Sequence, residues 1–321
     1  MKAIVYRRYG SPDVLGLKEV DKPVPKDGEI LVRVHAAALN PFDWHLLRGL
    51  PYIVRATAGW RTPKRNIPGI DVAGVVEAVG RNVIEIQPGD EVFGEKSRAC
   101  AEYVCGPEKQ FVPKPSNLTL EEAAAVPVAA VTALQALRDR GHIQPGQQVL
   151  INGASGGVGT FAVQLARSFG AIVTGVCSSP NVEMVRSIGA DHVIDYTQQD
   201  FTRSERRYDL IIDNIGNRSL SSCRRVMGPT GVLVVVGAPE GRWVAPVSRL
   251  VAAKLLSQVG SQKFIAHLTD TTREDLLFLT DLIEAGKLRP VIDRRYPLSE
   301  VPDAIRYLET MRARGKVVIT I

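Results

Sequence analysis

The stretch Val149-Leu-Ile-Asn-Gly-Ala-Ser-Gly-Gly-Val-Gly159 contains the residues whose types and spacing point most directly to chemistry. An apolar run leads into clustered glycines, and the helix-patterned Thr160-Phe-Ala-Val-Gln-Leu-Ala-Arg-Ser-Phe-Gly170 follows at once. Glycine allows positive φ and close backbone approach to a ligand. The N–H groups at the start of a helix have no intrahelical partner, so they bind anions. A second apolar run, Ala171-Ile-Val-Thr-Gly-Val-Cys177, completes a βαβ unit. In that setting a glycine turn cradles the pyrophosphate of a dinucleotide. The fingerprint reads Ala154-x-Gly156-x-x-Gly159, with Ala in the first glycine place and Gly153 just before it. Ala154 and Ser155 are expected to shape the turn, and the N–H groups of Gly156, Gly157 and Val158 to hold the phosphates. The alternative is a tight strand–helix turn with no ligand.

The end of the second strand separates NAD from NADP. NAD sites place an Asp or Glu about 20 residues beyond the turn, on the ribose hydroxyls. This chain has Cys177-Ser-Ser-Pro180 there. A carboxylate would repel a 2′-phosphate, whereas Ser178 and Ser179 can donate to it. NADPH is therefore the expected cofactor. No Lys or Arg follows the strand directly, and Arg186 is a turn or more away, so a cationic partner must come from elsewhere. Asn214 and Gly216 follow the apolar run Leu210-Ile-Ile-Asp213, and Val236, Gly237 and Ala238 follow the next one. Loops after parallel strands line the cofactor crevice, so these residues are expected to border it.

The elements that must position these residues fall into two regions. The chain has 321 residues, which suits two domains. With 45% hydrophobic and 23% charged residues it reads as an ordinary globular protein. No apolar run approaches the roughly 20 residues of a membrane span. The N-terminus alternates like a strand and lacks the plan of a signal or transit peptide. Cys100, Cys105, Cys177 and Cys223 are sparse and form no C-x-x-C pair, which fits a reduced, cytoplasmic setting. The net charge of +6 is mild and its Lys and Arg residues are scattered, so a solvated surface is expected and nucleic-acid binding is not.

Residues 1 to about 115 read as short alternating strands cut by turns such as Pro25-Lys-Asp-Gly28 and Gln87-Pro-Gly-Asp90. Thr119-Leu-Glu-Glu is a capping box before an Ala-rich helix that Pro127 should interrupt, with a second helix to about Arg140. Strands are expected over 148–153, 171–177, 192–195, 209–213, 231–237 and 258–265. Helices are expected over 157–169, 181–188, 218–227 and 273–285. This alternation predicts an α/β fold with a doubly wound parallel sheet. The tail from about Pro290 is expected to return to the first domain.

Read together, Ala37-Ala-Leu-Asn-Pro-Phe-Asp43, Gly69-Ile-Asp-Val-Ala-Gly-Val-Val76, Gln87-Pro-Gly-Asp-Glu-Val-Phe-Gly94 and Ala130-Val-Thr-Ala-Leu134 form an ordered set. The glycine turn, Gly189-Ala-Asp-His-Val-Ile-Asp-Tyr196 and Gly315-Lys-Val-Val-Ile319 continue it. On these residues nearly the whole chain resembles the medium-chain dehydrogenase/reductase superfamily, in its zinc-free quinone oxidoreductase branch near the reticulon-4-interacting-protein-like members. The resemblance implies a GroES-like β-rich catalytic domain over 1–117 and 290–321, a Rossmann domain over 118–289, and a cleft between them. It implies NADPH-dependent hydride transfer to a quinone or an α,β-unsaturated ketone or aldehyde. It also places Asn40, Asp43 and Thr132 near the nicotinamide, Tyr196 near the adenine ribose-phosphate, and Phe264 and Lys316 against the cofactor. Asn40 would bond the ribose or the acceptor oxygen, and Thr132 would orient the carboxamide. Asp43 reads equally as a local turn residue or a member of a surface ion pair, and Tyr52 as a polar group of the substrate cleft or as packing. The segment Pro51–Lys64, with Arg55, Trp60, Arg61 and Lys64, reads as a substrate lid or a surface loop. Zinc-dependent relatives use a Cys near position 40 and a Gly-His-Glu segment, where this chain has Asn40 and Gly69-Ile-Asp71. Ile70 cannot ligate, so no metal is expected. The five histidines lack ligand spacing and read as surface or packing residues. A 2-enoyl thioester or enal reductase and a non-enzymatic NADPH-binding protein are the rival readings, and a homodimer built on the Rossmann sheet edge near 258–265 is expected.

Overall fold

A computed structural model describes residues 1–64, 66–237, 252, 253, 255–258 and 260–321. In chain order the first strands are β1 (Lys2–Val5), β2 (Gly16–Glu19), β3 (Glu29–Leu39), β4 (Asp71–Val79), β5 (Glu91–Glu95), β6 (Tyr103–Pro107) and β7 (Phe111–Pro113). The next are β8 (Gln148–Asn152), β9 (Ile172–Cys177), β10 (His192–Asp195), β11 (Tyr208–Asp213), β12 (Met227–Val235) and β13 (Lys263–Ala266). The last are β14 (Ile292–Pro297) and β15 (Lys316–Thr320). The chain divides into one unit of Met1–Val131 with Thr271–Ile321 and a second of Thr132–Asp270.

The first unit is built on a sheet of order β14-β15-β3-β4-β5-β7, with β6 also paired to β3. The long strand β3 alternates Val32 and Val34 inward with Arg33 and His35 outward, then turns wholly apolar over Ala36–Leu39 where it is covered on both faces. Helix Val301–Glu309 closes one face with Val301, Ala304, Ile305 and Leu308, a spacing that gives a single apolar stripe. The sequence reading assigns no helix there or at Pro41–Arg48, because each is short and lies between strands.

In the second unit the order β10-β9-β8-β11-β12-β13 is parallel throughout among the described residues. This is the 3-2-1-4-5-6 order of a Rossmann sheet. Both faces are covered, so β8 and β11 run as continuous apolar segments. The expected strands and helices all occur, with shifted ends. Helix Leu220–Arg224 is shorter than 218–227 because β12 already begins at Met227. The strand expected over 258–265 is the shorter β13.

The division between units differs from boundaries at 118 and 289. Helix Leu120–Ala124 lies against β3, β4 and β5, and helix Arg273–Glu284 against β7. Asn117 Nδ2 donates to the carbonyl of Ile283 at 2.7 Å, and Ser116 N to Glu284 at 2.8 Å. These contacts tie 118–131 and 271–289 to the β-rich unit. Pro127 begins helix Pro127–Gln135, which continues as a π-type turn over Ala136–Arg140.

The capping box at Thr119 is formed in both directions: Glu122 N donates to Thr119 Oγ1 at 3.2 Å and Thr119 N to Glu122 Oε2 at 3.0 Å. Thr119→Ala is expected to lower stability by about 1 kcal/mol in urea unfolding. An unchanged midpoint rejects the cap as a stabilising contact.

Candidate functional site

In the second unit β8 ends at Asn152, and Gly153 follows with a φ of +81°, the left-handed conformation that glycine adopts freely. Helix Gly157–Ser168 starts after Gly156, so its first N–H groups point out of the turn. Two glycines there have different reasons to be small. A Cβ on Gly159 would lie 2.0 Å from the Gly153 carbonyl oxygen, so the turn itself forbids one. A Cβ on Gly156 would meet only that carbonyl, at 3.6 Å. The space beside Gly156 therefore suits a ligand rather than the fold, and the turn fits a pyrophosphate. Ala154 is fully buried beneath it, and Ser155 Oγ accepts from Asn181 Nδ2 at 3.2 Å.

The loops after β11 and β12 lie against each other. Asp213 O accepts from Val236 N and Gly237 N, both at 3.0 Å, and a Cβ on Gly237 would meet Asn214 O at 1.9 Å. Asp213 Oδ1 accepts from Gly216 N at 2.9 Å and Asn152 Nδ2 at 2.8 Å. Asn214 donates to Asn152 O, and its Oδ1 is buried with no protein partner. Asn214, Gly216, Val236 and Gly237 thus gather at strand C-terminal ends, as expected. Ala238 lies outside the described residues.

Ser178 and Ser179 follow β9, and the structure adds a neighbour absent from the sequence reading. Asp195 ends β10 directly beside Cys177. Hydrogen bonds from Ser179 and then Thr197 hold its carboxyl below the usual carboxylate range. Ser179 Oγ lies 3.1 Å from Thr197 Oγ1, which donates to Asp195 Oδ1 at 2.7 Å. The serine pair therefore does carry an acid beside it, brought there by the pairing of β10 with β9. Asn181 Nδ2 also donates to Ser178 Oγ at 3.1 Å. Tyr196 is 41% exposed next to them. Phe264 is buried in the apolar core and its backbone is bonded to Ser257. Thr132 Oγ1 lies 2.6 Å from Thr269 Oγ1, which in turn lies 3.4 Å from His267 Nε2. His267 is buried, and burial pushes its imidazole pKa down. The sequence reading leaves it as packing because nothing nearby in the chain has ligand spacing.

In the first unit three strand ends converge. Asn40 follows β3, Asp71 begins β4 opposite Ala38, and Lys316 begins β15 beside Val317, which faces Leu39. Their exposures are 5%, 0% and 2%. Lys316 Nζ donates to Asn40 Oδ1 at 2.6 Å and to Asp71 Oδ2 at 2.9 Å, and Asn40 Nδ2 donates to Asp71 Oδ2 at 2.8 Å. Val128 N donates to Asp71 Oδ1 at 3.0 Å, so Asp71 also caps helix Pro127–Gln135. The ammonium of Lys316 is thus committed within its own unit, where the resemblance implies a cofactor contact. A buried ammonium requires such partners. The motif Gly69-Ile-Asp71 held the signal for this cluster, since its acid falls in the Glu position of the zinc-dependent Gly-His-Glu segment.

These residues do not fit a zinc ion. Ile70 has no donor, and the oxygens of Asn40 and Asp71 already face a cation that would repel the metal. Among the described residues no group of three or more His, Cys, Asp or Glu side chains is arranged to hold one. Tyr52 is half-buried in the short helix Tyr52–Val54, with the Arg55 guanidinium 4.9 Å above its ring. Trp60 is 70% exposed.

Asp43 sits in the same buried region. Its Oδ2 accepts from Asn40 N at 2.8 Å, closing a capping box on helix Pro41–Arg48, and its Oδ1 accepts from Gly69 N at 2.9 Å. Burial pushes its carboxyl up to about 7, with the charge of Asp71 adding to the rise and the two N–H donors opposing it. The cavity beside it is only about 10 Å³. That is at the lower limit for one water.

The two glycines should respond differently to substitution. Gly156→Ala is expected to fold with an unchanged thermal midpoint and to lose nicotinamide-cofactor binding by fluorescence titration, whereas Gly159→Ala loses stability itself. Equal stability loss in both variants contradicts the assignment of space at Gly156. For Asp43, the folded state keeps a proton that the unfolded chain releases near pH 3.8, so its contribution is present below about pH 4, is lost as pH rises through about 7, and is flat above. The stability advantage of the wild type over Asp43→Asn should narrow between pH 5 and 7.5 in urea titrations. A difference independent of pH in that window rules this out.

Comparison with known proteins accords with both halves. Residues 26–116 match the alcohol dehydrogenase GroES-like domain, and residues 188–319 match the family described as zinc-binding dehydrogenase. The mouse mitochondrial NAD(P)H oxidoreductase RTN4IP1 is 34% identical, over 100% of this chain and 89% of its own length. A chloroplastic NADPH-dependent alkenal/one oxidoreductase of Arabidopsis thaliana is 36% identical, over 99% of this chain and 79% of its own. The structure of the quinone oxidoreductase from Coxiella burnetii superposes with a TM-score of 0.87 at 31% identity, covering 100% of this chain and 99% of that one. Sheet order, glycine turn and full-length similarity agree, and the chain belongs to the medium-chain dehydrogenase/reductase superfamily, in its quinone oxidoreductase branch.

Proposed function

We propose that this protein is a zinc-independent, NADPH-dependent oxidoreductase that reduces a quinone or an α,β-unsaturated carbonyl. The observation that carries the reading is the glycine turn, where the fold leaves open the space beside Gly156 and closes it at Gly159. A bound reduced nicotinamide supplies the hydride. The chain's own residues bind and orient. The N–H groups of Gly156, Gly157 and Val158 hold the pyrophosphate, and Ser178 and Ser179 meet the 2′-phosphate with Tyr196 beside them. Thr132, braced by Thr269, orients the carboxamide. Asn40 donates to the acceptor oxygen as negative charge builds on it, which stabilises the developing enolate or hydroquinone anion. The reduced quinone is already a stabilised anion, so its final protonation from water needs no dedicated acid. The Arabidopsis alkenal/one oxidoreductase supports the unsaturated-carbonyl branch of the reading, and the Coxiella quinone oxidoreductase supports the other.

Asp195 bears on the cofactor preference. Its carboxylate takes the hydrogen bonds of Ser179 and places negative charge beside a 2′-phosphate. Loss of 340 nm absorbance with ortho-quinones, para-quinones and enals is the direct test. The wild type is expected to oxidise NADPH in preference to NADH, and Asp195→Asn to raise kcat/KM for NADPH about two- to fivefold, the size of an exposed charge interaction. Turnover with NADH alone rejects the role of Ser178 and Ser179. Binding of NADPH without oxidation by any acceptor favours the non-enzymatic reading.

A further inference from the structure

The carboxamide of Asn40 is symmetric in shape but not in chemistry. Rotated by half a turn it presents an oxygen where it had an NH₂ group, and a donor to the acceptor oxygen becomes an acceptor that repels it. In a mobile side chain both orientations are populated. Here the two partners allow only one. Lys316 Nζ carries donors alone and lies 2.6 Å from Oδ1, and the carboxylate of Asp71 accepts alone and lies 2.8 Å from Nδ2. Lys316 and Asp71 are also bonded to each other at 2.9 Å, which closes a three-membered ring of hydrogen bonds. All three groups are buried, so water does not compete for these bonds. The second oxygen of Asp71 is anchored to Val128 N, and Lys316 is anchored by the pairing of β15 with β3. The ring therefore cannot drift as a body. After these bonds are counted, Asn40 keeps one N–H on Nδ2 and one lone pair on Oδ1.

We propose that Asp71 and Lys316 are positioning residues that lock the Asn40 carboxamide, so that its remaining N–H points at the acceptor oxygen in every turnover. The inference rests on the role given to Asn40 above. It assigns to Lys316 the orientation of a protein side chain, and it gives Asp71 a double duty, holding the amide with one oxygen and the helix start with the other. Removing the ammonium alone would leave a buried carboxylate with less compensation, and removing the carboxylate alone would strand a buried ammonium. Either single change is expected to destabilise the fold strongly. The informative variant changes both. In Asp71→Asn/Lys316→Met the charges vanish together, the new amide oxygen still accepts from Val128 N, and its NH₂ group faces Asn40 as a donor. The Asn40 amide is then unlocked or reversed.

A double-mutant cycle on the full chain separates positioning from general support. Against the wild type, the paired variant is expected to lower kcat for the best acceptor by about 10- to 100-fold, the effect of one misaligned stabilising donor. Its KM for NADPH and its thermal midpoint should stay close to wild type. In an Asn40→Ala background the same pair should change kcat by less than twofold, because the residue it acts through is gone. An equal loss in both backgrounds, or no loss in the wild-type background, overturns the proposal. A second measurement needs no turnover. The Nδ2 proton of Asn40 that is bonded to Asp71, identified in NMR spectra by its absence from Asn40→Ala, should exchange slowly with solvent in the wild type and quickly in the paired variant. Rapid exchange in the wild type overturns the lock. Slow exchange in a protein that reduces none of the acceptors keeps the lock and rejects the functional reading instead.

Discussion

The buried ammonium of Lys316 is the constraint around which the β-rich unit is arranged. A cation at 2% exposure persists only with an anion and further acceptors in reach, because the cost of removing it from water is otherwise prohibitive. Asp71 is that anion, at the first residue of β4 opposite Ala38 of β3. Lys316 begins β15 on the other side of β3, next to Val317, which faces Leu39. Asn40 lies between them where β3 ends, and its backbone starts helix Pro41–Arg48 through Asp43. One ion pair thus joins residues far apart in the chain, caps helix Pro127–Gln135 and orients the amide. Asp43 sits close enough to Asp71 for their charges to interact, which contributes to its raised proton affinity.

The second unit follows a different logic. Its chemistry comes from backbone rather than from charge. Parallel strands end on one side of the sheet, so the glycine turn after β8, the serines after β9 and the loops after β11 and β12 gather there without specific long-range pairing. Glycine is required at Gly159 because the chain crosses itself and at Gly237 because two loops touch backbone to backbone. At Gly156 the fold makes no such demand. That contrast leaves the space beside Gly156 open while the turn closes at Gly159.

Much of this was legible in the amino-acid order. The strand–glycine–helix pattern at 149–170, the capping box at Thr119, the break at Pro127 and the alternation of apolar runs are local signals. Local signals survive in sequence because propensity, capping and turn chemistry act over a few residues. The borders of the units were less legible. Helices Leu120–Ala124 and Arg273–Glu284 have amphipathic patterns that fit either unit, and only the surface they bury decides between them.

The functional residues divide in the same way. By itself the sequence determined the parallel α/β fold, the strand–glycine–helix turn and the absence of a ligand-forming side chain at position 70. Only the tertiary structure decided that Lys316 faces Asn40 and Asp71, that His267 and Thr269 stand behind Thr132, and that Asp195 reaches the serines after β9. Each of these depends on pairing between strands or on contact between distant segments, and the partner of a charge is set by register, which no local pattern of residues encodes.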